Sequence, residues 1–281
     1  MSAPDFTTPD STIKTKTELG VRVAQGIEYD GSAYHGWQIQ GHDAKTVQQE
    51  LERALSKIAA QQIRVICAGR TDTGVHATAQ VIHFDTQEPR NERAWVLGTN
   101  TQLSEHVRVR WAKFVSSDFH ARFSATGRRY RYVIDNRAVR PAIMSSLLSW
   151  QCQPLDVEKM QIAAMSLVGE HDFTSYRTVH CQAKSPVKTV HRIVVERRGE
   201  LVTMDIHANA FLHHMVRNIA GVLMAIGCGK EDVTWAKKVL AARDRALGGV
   251  TAPACGLYLV AIDYPEHFAI PKSTIDLPFL L

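Results

Sequence analysis

The sequence predicts an α+β fold of two similar halves, because its hydrophobic patterns run through the same order of elements twice. The length of 281 residues suits one large domain or two domains of ordinary size. Alternating and helical apolar patterns follow one another in the order β-α-β-β-α-β in each half. Each half is therefore predicted to be a split βαβ, ferredoxin-like unit with an antiparallel sheet.

The first half covers residues 21–118. It follows residues 1–20, a segment rich in Ser, Thr, Asp and Pro that is predicted to be a disordered tail. A helix is predicted after Thr46, which forms a capping box with Gln49, and apolar residues at helical spacing mark its buried face. Strands are predicted at residues 21–29, 63–68, 78–84 and 106–115, with a short helix near residues 92–97.

The second half covers residues 119–264, and residues 265–281 form a C-terminal tail. Asp156 is predicted to cap the N-terminus of a helix that Gly169 ends. The remaining predictions are a strand at residues 128–134, a hairpin of strands at residues 190–197 and 201–207, a long helix at residues 210–228 and a closing strand at residues 257–264.

The composition is that of an ordinary globular protein, with 45% apolar and 22% charged residues. It excludes a disordered chain, a collagen-like repeat and a small disulfide scaffold. The chain holds 33 Lys and Arg against 28 Asp and Glu, a formal net charge of +5. Six arginines and one acid, Asp135, lie between residues 119 and 140. This local excess of positive charge indicates a polyanionic partner.

Nothing in the sequence indicates a membrane segment, a secretory signal or a cofactor site, so we expect a cytoplasmic protein without metal or cofactor. The five cysteines form no close pair, and the longest apolar stretch contains two histidines, an arginine and an asparagine. His213 and His214 are neighbours in the predicted long helix, so we expect their side chains to point in different directions and not to share a metal ion. Zinc-protease, P-loop and dinucleotide-binding motifs are all absent.

The segment G-R-T-D-T-G-V-H, at residues 69–76 between two predicted strands, is the first candidate site. Loops held between rigid strands often present reactive groups. Asp72 could instead be a turn residue whose side chain hydrogen-bonds to its own backbone. Asp72-Thr73-Gly74 matches the D-T-G of aspartic proteases as well. Those enzymes need two such aspartates, and the chain has no second D-T-G or D-S-G.

Arg217 is the second candidate, because it is the one Asp, Glu, Lys or Arg between residues 209 and 229. A buried guanidinium is costly unless it is paired with an anion. Two interpretations follow. In the first, Arg217 forms a structural ion pair or extends its charged end to solvent. In the second, its positive charge holds a carboxylate or a phosphate in a cleft.

The segment Arg128-Arg129-Tyr130-Arg131-Tyr132 is the third candidate. On a strand, Tyr130 and Tyr132 face one side, and Arg129 and Arg131 face the other. Aromatic rings among arginines suit base stacking beside phosphate contacts, so Arg128, Arg129 and Arg131 are predicted to bind RNA. The tyrosines also fit the alternative of ordinary half-buried strand residues.

The segment at residues 69–77 resembles the catalytic signature of the TruA-type tRNA pseudouridine synthases, and the resemblance extends over residues 21–264. Further family motifs occur in family order: Y-D-G-S at residues 29–32, G-W-Q at 36–38, R-Y-R-Y at 129–132, G-E-H-D-F at 169–173, F-L-H-H-M-V-R-N at 211–218 and G-L-Y-L-V at 256–260. One departure is L-G-G-V-T-A-P at residues 247–253, where many relatives carry an A-G-P-T-A-P-like run.

The resemblance implies an isomerase that converts uridine to pseudouridine at positions 38, 39 and 40 of the tRNA anticodon arm, without metal or organic cofactor. It also implies a homodimer whose two α+β halves flank a basic central cleft. Asp72 matches the catalytic aspartate, and Arg217 matches the arginine that pairs with it. Tyr130 matches the tyrosine at the target base, Arg70 the arginine beside the flipped nucleotide, and Leu257 an apolar residue of the pocket.

The chemistry of the reaction is consistent with these roles. Uridine must leave the base stack to expose its glycosidic bond, and an ionised carboxylate can act without a cofactor. Asp72 can attack ribose C1′, attack the uracil ring or remove a ribose proton, and the sequence does not choose among these routes. The alternatives are a pseudouridine synthase with another RNA target and a non-catalytic RNA-binding protein, which would not need Asp72 together with Arg217.

Overall fold

A ten-stranded, mostly antiparallel sheet organises the fold in the computed structural model, which describes residues 20–41, 44–88, 90–178, 181–272 and 277. The strands are β1 Val21–Tyr29, β2 Ile66–Cys67, β3 His76–Thr86, β4 Val107–Val115, β5 Gly127–Asp135, β6 Ser149–Trp150, β7 Gly169–Asp172, β8 Val187–Arg198, β9 Leu201–Ala208 and β10 Leu257–Asp263. The helices are α1 Val47–Ala59, α2 Glu92–Asn100, α3 Val157–Met165, α4 Met215–Gly227 and α5 Trp235–Ala242. The predicted α+β class is confirmed.

The sheet runs continuously from one half of the chain to the other, in the order β4-β1-β3-β10-β5-β9-β8-β7, with β2 beside β3 and β6 beside β5. The strand that joins the halves is β10. It runs parallel to β3, where Tyr258 pairs with His76, and antiparallel to β5, where Leu259 pairs with Tyr130. The two predicted halves, residues 21–118 and 119–264, therefore share one sheet instead of forming two separate ones.

The predicted N-terminal helix caps are present, whereas Gly169 does not end α3, which stops at Met165, but begins β7. The Thr46 hydroxyl accepts a hydrogen bond from the Gln49 amide at 3.3 Å, and Asp156 Oδ1 accepts one from the Lys159 amide at 3.0 Å. These side chains satisfy backbone N–H groups that have no partner within the first helical turn. Strand β1 and hairpin β8–β9 also lie where the alternating pattern predicts them.

Two further predicted elements are shorter than expected. The strand predicted at residues 63–68 is reduced to β2, because the Ile63 and Val65 amides donate to side chains of α1 instead of a neighbouring strand. The helix predicted at residues 210–228 begins only at Met215, because His214 has a φ of 63°, in the left-handed region that a right-handed helix cannot contain. Strands β6 and β7 and helix α5 were not predicted.

Side chains of all five helices pack with one face of the sheet in the main hydrophobic core. The opposite face of the first half is covered by residues that follow β4 and β10, where the Phe119 and Phe268 rings lie 5.1 Å apart. Leu277, which is 3% exposed, packs with Val133 and Leu148 on the second half. Parts of the C-terminal tail thus belong to the folded structure, whereas the tail predicted at residues 1–20 lies, up to residue 19, outside the described residues.

None of the helices in the described residues has both the length and the apolar character that a bilayer crossing requires.

A buried histidine ties the first half to the segment that leads into the second. His83 on β3 is 3% exposed, and its Nδ1 accepts a hydrogen bond from the Ala121 amide at 3.1 Å. Burial, helped by the charges of Arg22 and His120, lowers the pKa of His83 from 6.5 to about 4. The folded state therefore holds His83 neutral over a pH range in which the unfolded chain is protonated.

We expect the free energy of unfolding to be fully retained above pH 6.5 and to decrease as the pH falls towards 4, because only the unfolded state takes up the proton in that window. His83→Asn keeps an acceptor for the Ala121 amide but removes the titrating ring, so its stability curve should be flatter between these pH values. Urea unfolding at several pH values measures this. The exposed-site variant His191→Asn should keep the wild-type slope, and an unchanged slope in His83→Asn would contradict the assignment.

Candidate active site

Asp72 lies in the loop that connects β2 to β3, and backbone hydrogen bonds hold this loop in place. The Val75 amide donates to the Asp72 carbonyl at 3.1 Å, and the Trp37 amide donates to the Thr71 carbonyl at 3.0 Å. Gly74 has a φ of 77°, a conformation that glycine adopts without a steric penalty. The loop is thus a fixed turn that presents the Asp72 side chain.

The segment at residues 29–38 packs against the Asp72 loop and helps to fix its position. The Tyr29 hydroxyl lies 2.8 Å from the Thr71 hydroxyl. A Cβ atom on Gly31 would lie 2.0 Å from the Val75 carbonyl oxygen, so only glycine lets the two backbones approach this closely. This packing explains why the Y-D-G-S and G-W-Q motifs accompany the aspartate motif in the sequence.

Arg217 meets Asp72 across the two halves of the chain. Its Nη1 lies 3.1 Å from Asp72 Oδ2, and its side chain is 16% exposed. The Arg217 Nε donates to the Ala252 carbonyl at 2.9 Å, while the Ala252 amide donates back to the Arg217 carbonyl at 3.1 Å. The guanidinium is therefore fixed by two contacts of its own, one of them to the carboxylate.

Ala252 belongs to the loop at residues 247–253, the segment that departs from the family pattern. This loop lies directly on α4: a Cβ atom on Gly221 would be 1.8 Å from the Val250 carbonyl oxygen. Only a glycine at this position of the helix allows the approach. Despite its different sequence, the loop supplies the carbonyl that orients Arg217.

Two histidines also contact the carboxylate, and the sequence analysis did not find them. His213 Nε2 lies 3.1 Å from Asp72 Oδ1, and His214 Nε2 lies 3.2 Å from Asp72 Oδ2. The expectation that their side chains diverge on a helix was wrong, because both precede α4 and the left-handed backbone of His214 turns them to the same side. Their position just before Arg217 in one motif was the available signal.

The surroundings of Asp72 favour its ionised form. Burial alone would raise the pKa of Asp72. The hydrogen bond to His214 and the electrostatic influence of His214, His213 and Arg217 outweigh burial, so the pKa lies below its usual value. The side chain is still 22% exposed, which leaves the carboxylate accessible from solvent.

Tyr130, on β5, lies beside the Asp72 loop. Its side chain is 9% exposed, and its ring lies perpendicular to the Phe211 ring at 5.1 Å. Its hydroxyl lies 3.6 Å from the place that a Cβ atom on Gly69 would occupy, so it faces the Asp72 loop. Burial raises the pKa of Tyr130, and the phenol stays neutral. Leu257, 5% exposed, lies in the core opposite Tyr132 in the β10–β5 register.

The three arginines of β5 have protein partners of their own. Arg128 donates to backbone carbonyls of four residues, Ala68, Arg122, Ala125 and Asn209. Arg129 and Arg131 each lie 3.0 Å from one oxygen of Asp205, on the sheet face opposite Tyr130. Their contact with RNA stays a prediction. Arg70, by contrast, is exposed in the Asp72 loop itself.

The site thus combines an ionised carboxylate, a fixed cation and aromatic walls, supplied by both halves of the chain. The ligand atoms of Asp72, His213 and His214 lie within 4.8 Å of one another, so these three side chains could also hold a metal ion.

Comparisons with known proteins show which family the chain belongs to. A family model described as tRNA pseudouridine synthase matches residues 27–124 and 163–265. The tRNA pseudouridine synthase A of Alcanivorax borkumensis is 58% identical over 254 residues, covering 90% of this chain and 95% of that protein. The Pseudomonas aeruginosa protein of the same name is 56% identical over 259 residues, covering 92% of this chain and 91% of that protein. The chain therefore belongs to the tRNA pseudouridine synthase family.

Proposed function

We propose that this protein is an isomerase that converts uridine to pseudouridine at positions 38, 39 and 40 of the tRNA anticodon arm, with Asp72 as the catalytic carboxylate. The observation that carries the proposal is the 3.1 Å contact between Asp72 and Arg217, two side chains from opposite halves of the chain. A protein that only bound RNA would not need a partly buried carboxylate paired with a cation.

In the proposed reaction, the bond between uracil N1 and ribose C1′ breaks and a bond between uracil C5 and C1′ forms. The proton on C5 is lost and N1 gains a proton, so no atom is added or removed overall. The base must first leave the stack, because the glycosidic bond is inaccessible within a helix. We propose that Asp72 acts on the extruded nucleotide, because an ionised carboxylate can do so without a cofactor.

The walls of the site suit a base that is detached for part of the reaction. Tyr130 and Phe211 form an aromatic corner beside the Asp72 loop, against which a uracil ring can stack. We propose that Arg70, which is exposed two residues before Asp72, contacts the backbone of the flipped nucleotide. We propose these roles for Tyr130 and Arg70, and a pocket-lining role for Leu257 behind them.

We also propose that the protein acts as a homodimer in the cytoplasm. The family resemblance supports the dimer. All five cysteines are free thiols, including the exposed Cys152, which suits a reducing compartment.

Replacing Asp72 by Asn should abolish pseudouridine formation while leaving tRNA binding nearly unchanged, because Asn keeps the shape of the side chain but is not a nucleophile. The measurement is to map pseudouridine in the anticodon arms of tRNA treated with purified wild-type or variant protein. Wild-type product at positions other than 38, 39 and 40 would favour another target site. Substantial product from Asp72→Asn would exclude Asp72 as the catalytic group.

Arg217→Met should lower turnover by on the order of 100-fold, with less effect on folding than on chemistry, because Asp72 loses a fixed cation that favours its ionised form. Methionine retains the apolar stem, so α4 can still pack. Thermal unfolding and pseudouridine formation are measured on the same preparation. If Arg217 is purely structural, the variant will melt much earlier but turn over normally where it is folded.

Binding of tRNA should weaken steeply as salt rises, because cationic side chains release counterions from phosphate. We expect the exposed Arg70 and Arg122 to contribute, so Arg70→Ala and Arg122→Ala should each reduce the slope of log K against log salt by about 1. Arg129→Ala tests the predicted RNA contact of the β5 arginines in the same way, and because Arg129 is paired with Asp205 on the other sheet face, we expect a smaller change of slope than in Arg70→Ala. A slope lowered by Arg129→Ala but not by Arg70→Ala would reverse this assignment.

A further inference from the structure

We propose that Asp72, His213 and His214 form a binding site for a divalent transition-metal ion such as Zn²⁺, and that the bound metal inhibits the enzyme. Metal binding is independent of the proposed function, whereas the inhibition rests on it. The bound metal would regulate the reaction but would take no part in its chemistry.

The positions of the donor atoms carry this proposal. All three ligand atoms lie within 4.8 Å of one another, and each imidazole Nε2 is 3.1 or 3.2 Å from a carboxylate oxygen. Two ligands bonded to a tetrahedral zinc ion at about 2.0–2.1 Å lie roughly 3.3 Å apart. His213 Nε2 and Asp72 Oδ1 are therefore close to the spacing that zinc requires, and His214 Nε2, which lies against Oδ2, would have to shift towards Oδ1 to complete the site.

The backbone accounts for this convergence. His214 is in the left-handed conformation, with a φ of 63°, and its ring centroid lies 4.3 Å from that of His213. A non-glycine residue in this region carries a steric cost. Here the unusual backbone places two consecutive imidazoles on one carboxylate, which a regular helix or strand would not do.

The donor set selects the class of metal. Two imidazole nitrogens and one carboxylate oxygen suit Zn²⁺ and its transition-metal neighbours, whereas Mg²⁺ and Ca²⁺ prefer oxygen ligands. The site is open to solvent, since the side chains of His213 and His214 are 47% and 28% exposed. Water can thus complete the coordination on the open side, as it does at catalytic zinc sites.

Arg217 limits the affinity. Its guanidinium lies 3.1 Å from Asp72 Oδ2 and is held there by the Ala252 carbonyl, so a metal would bind on the Oδ1 side, where His213 lies. The fixed positive charge opposes a second cation nearby. The site should therefore be weaker than a structural zinc site and release its metal to a chelator.

Metal on Asp72 should inhibit for a direct reason. A coordinated carboxylate has donated its lone pair to the metal, and its negative charge is neutralised. The metal would also occupy the space that the ribose or the uracil must reach. Uridine and metal should thus compete for the same carboxylate.

The first experiment is calorimetric titration of the full-length protein with ZnCl₂. We expect one Zn²⁺ per chain, binding weakened on the order of 10-fold or more in His213→Ala and His214→Ala, and unchanged binding in His267→Ala, an exposed-histidine control. MgCl₂ should give no such binding. Melting curves establish that each variant is folded. Zinc binding that survives unchanged in both His213→Ala and His214→Ala would overturn the proposal.

The second experiment measures pseudouridine formation with and without free Zn²⁺, followed by EDTA. Wild type and His267→Ala should be inhibited and should recover with EDTA, while the activity that His213→Ala retains should be several-fold less sensitive to the metal. Zinc that binds at this site without inhibiting would overturn the control role. Zinc binding in a protein that makes no pseudouridine even without metal would instead overturn the proposed function and leave the metal site standing.

Discussion

The contact between Asp72 and Arg217 is the interaction on which the arrangement of this protein depends. The two residues are 145 positions apart in sequence. Asp72 lies on a loop of the first half, and Arg217 lies on helix α4 of the second half. For their side chains to meet at 3.1 Å, the two halves must keep a fixed relative position. Strand β10 provides that fixed position, because it bonds to β3, which follows the Asp72 loop, and to β5, which carries Tyr130.

Much of the surrounding structure restrains these two side chains. The Asp72 loop is held by the segment at residues 29–38, in which Gly31 allows close backbone approach. Arg217 is held by Ala252, and Gly221 allows the loop of Ala252 to reach α4. Glycine recurs because a backbone carbonyl can be brought this close only where no Cβ intervenes. A pre-positioned ion pair needs no reorganisation when substrate arrives, which is how fixed charges favour a reaction.

The carboxylate that Arg217 helps to keep ionised is also in contact with two imidazoles, and these contacts have two consequences. Cationic and hydrogen-bonding neighbours lower the pKa of Asp72 and so favour the reactive form. The imidazoles of His213 and His214 also place nitrogen donors beside the carboxylate, and a transition metal can bind to this donor set. An ionised, solvent-accessible aspartate flanked by histidines can serve both as the proposed catalytic group and as the proposed metal ligand, and the charge of Arg217 opposes a metal ion.

Local order could be predicted from the sequence. The caps at Thr46 and Asp156, strand β1 and the β8–β9 hairpin all follow from interactions among residues a few positions apart, which the sequence displays directly. The motif around Asp72 and the lone charge of Arg217 also stood out, and the family followed from the order of such motifs. Alternation along β5 correctly placed Tyr130 and Tyr132 on the face opposite Arg129 and Arg131, because a strand has a period of two.

Contacts between distant residues were decided by the tertiary structure alone. Nothing in the local pattern of β10 shows that it joins the two halves into one sheet, because strand pairing depends on partners far along the chain. The backbone of His214, and with it the meeting of two histidines on Asp72, depends on how α4 docks. The partners of Arg128, Arg129 and Arg131 were equally hidden, since an arginine finds its acceptor only when other elements have packed around it. The sequence by itself determined most of the elements and the charged groups Asp72 and Arg217, and packing determined which groups meet.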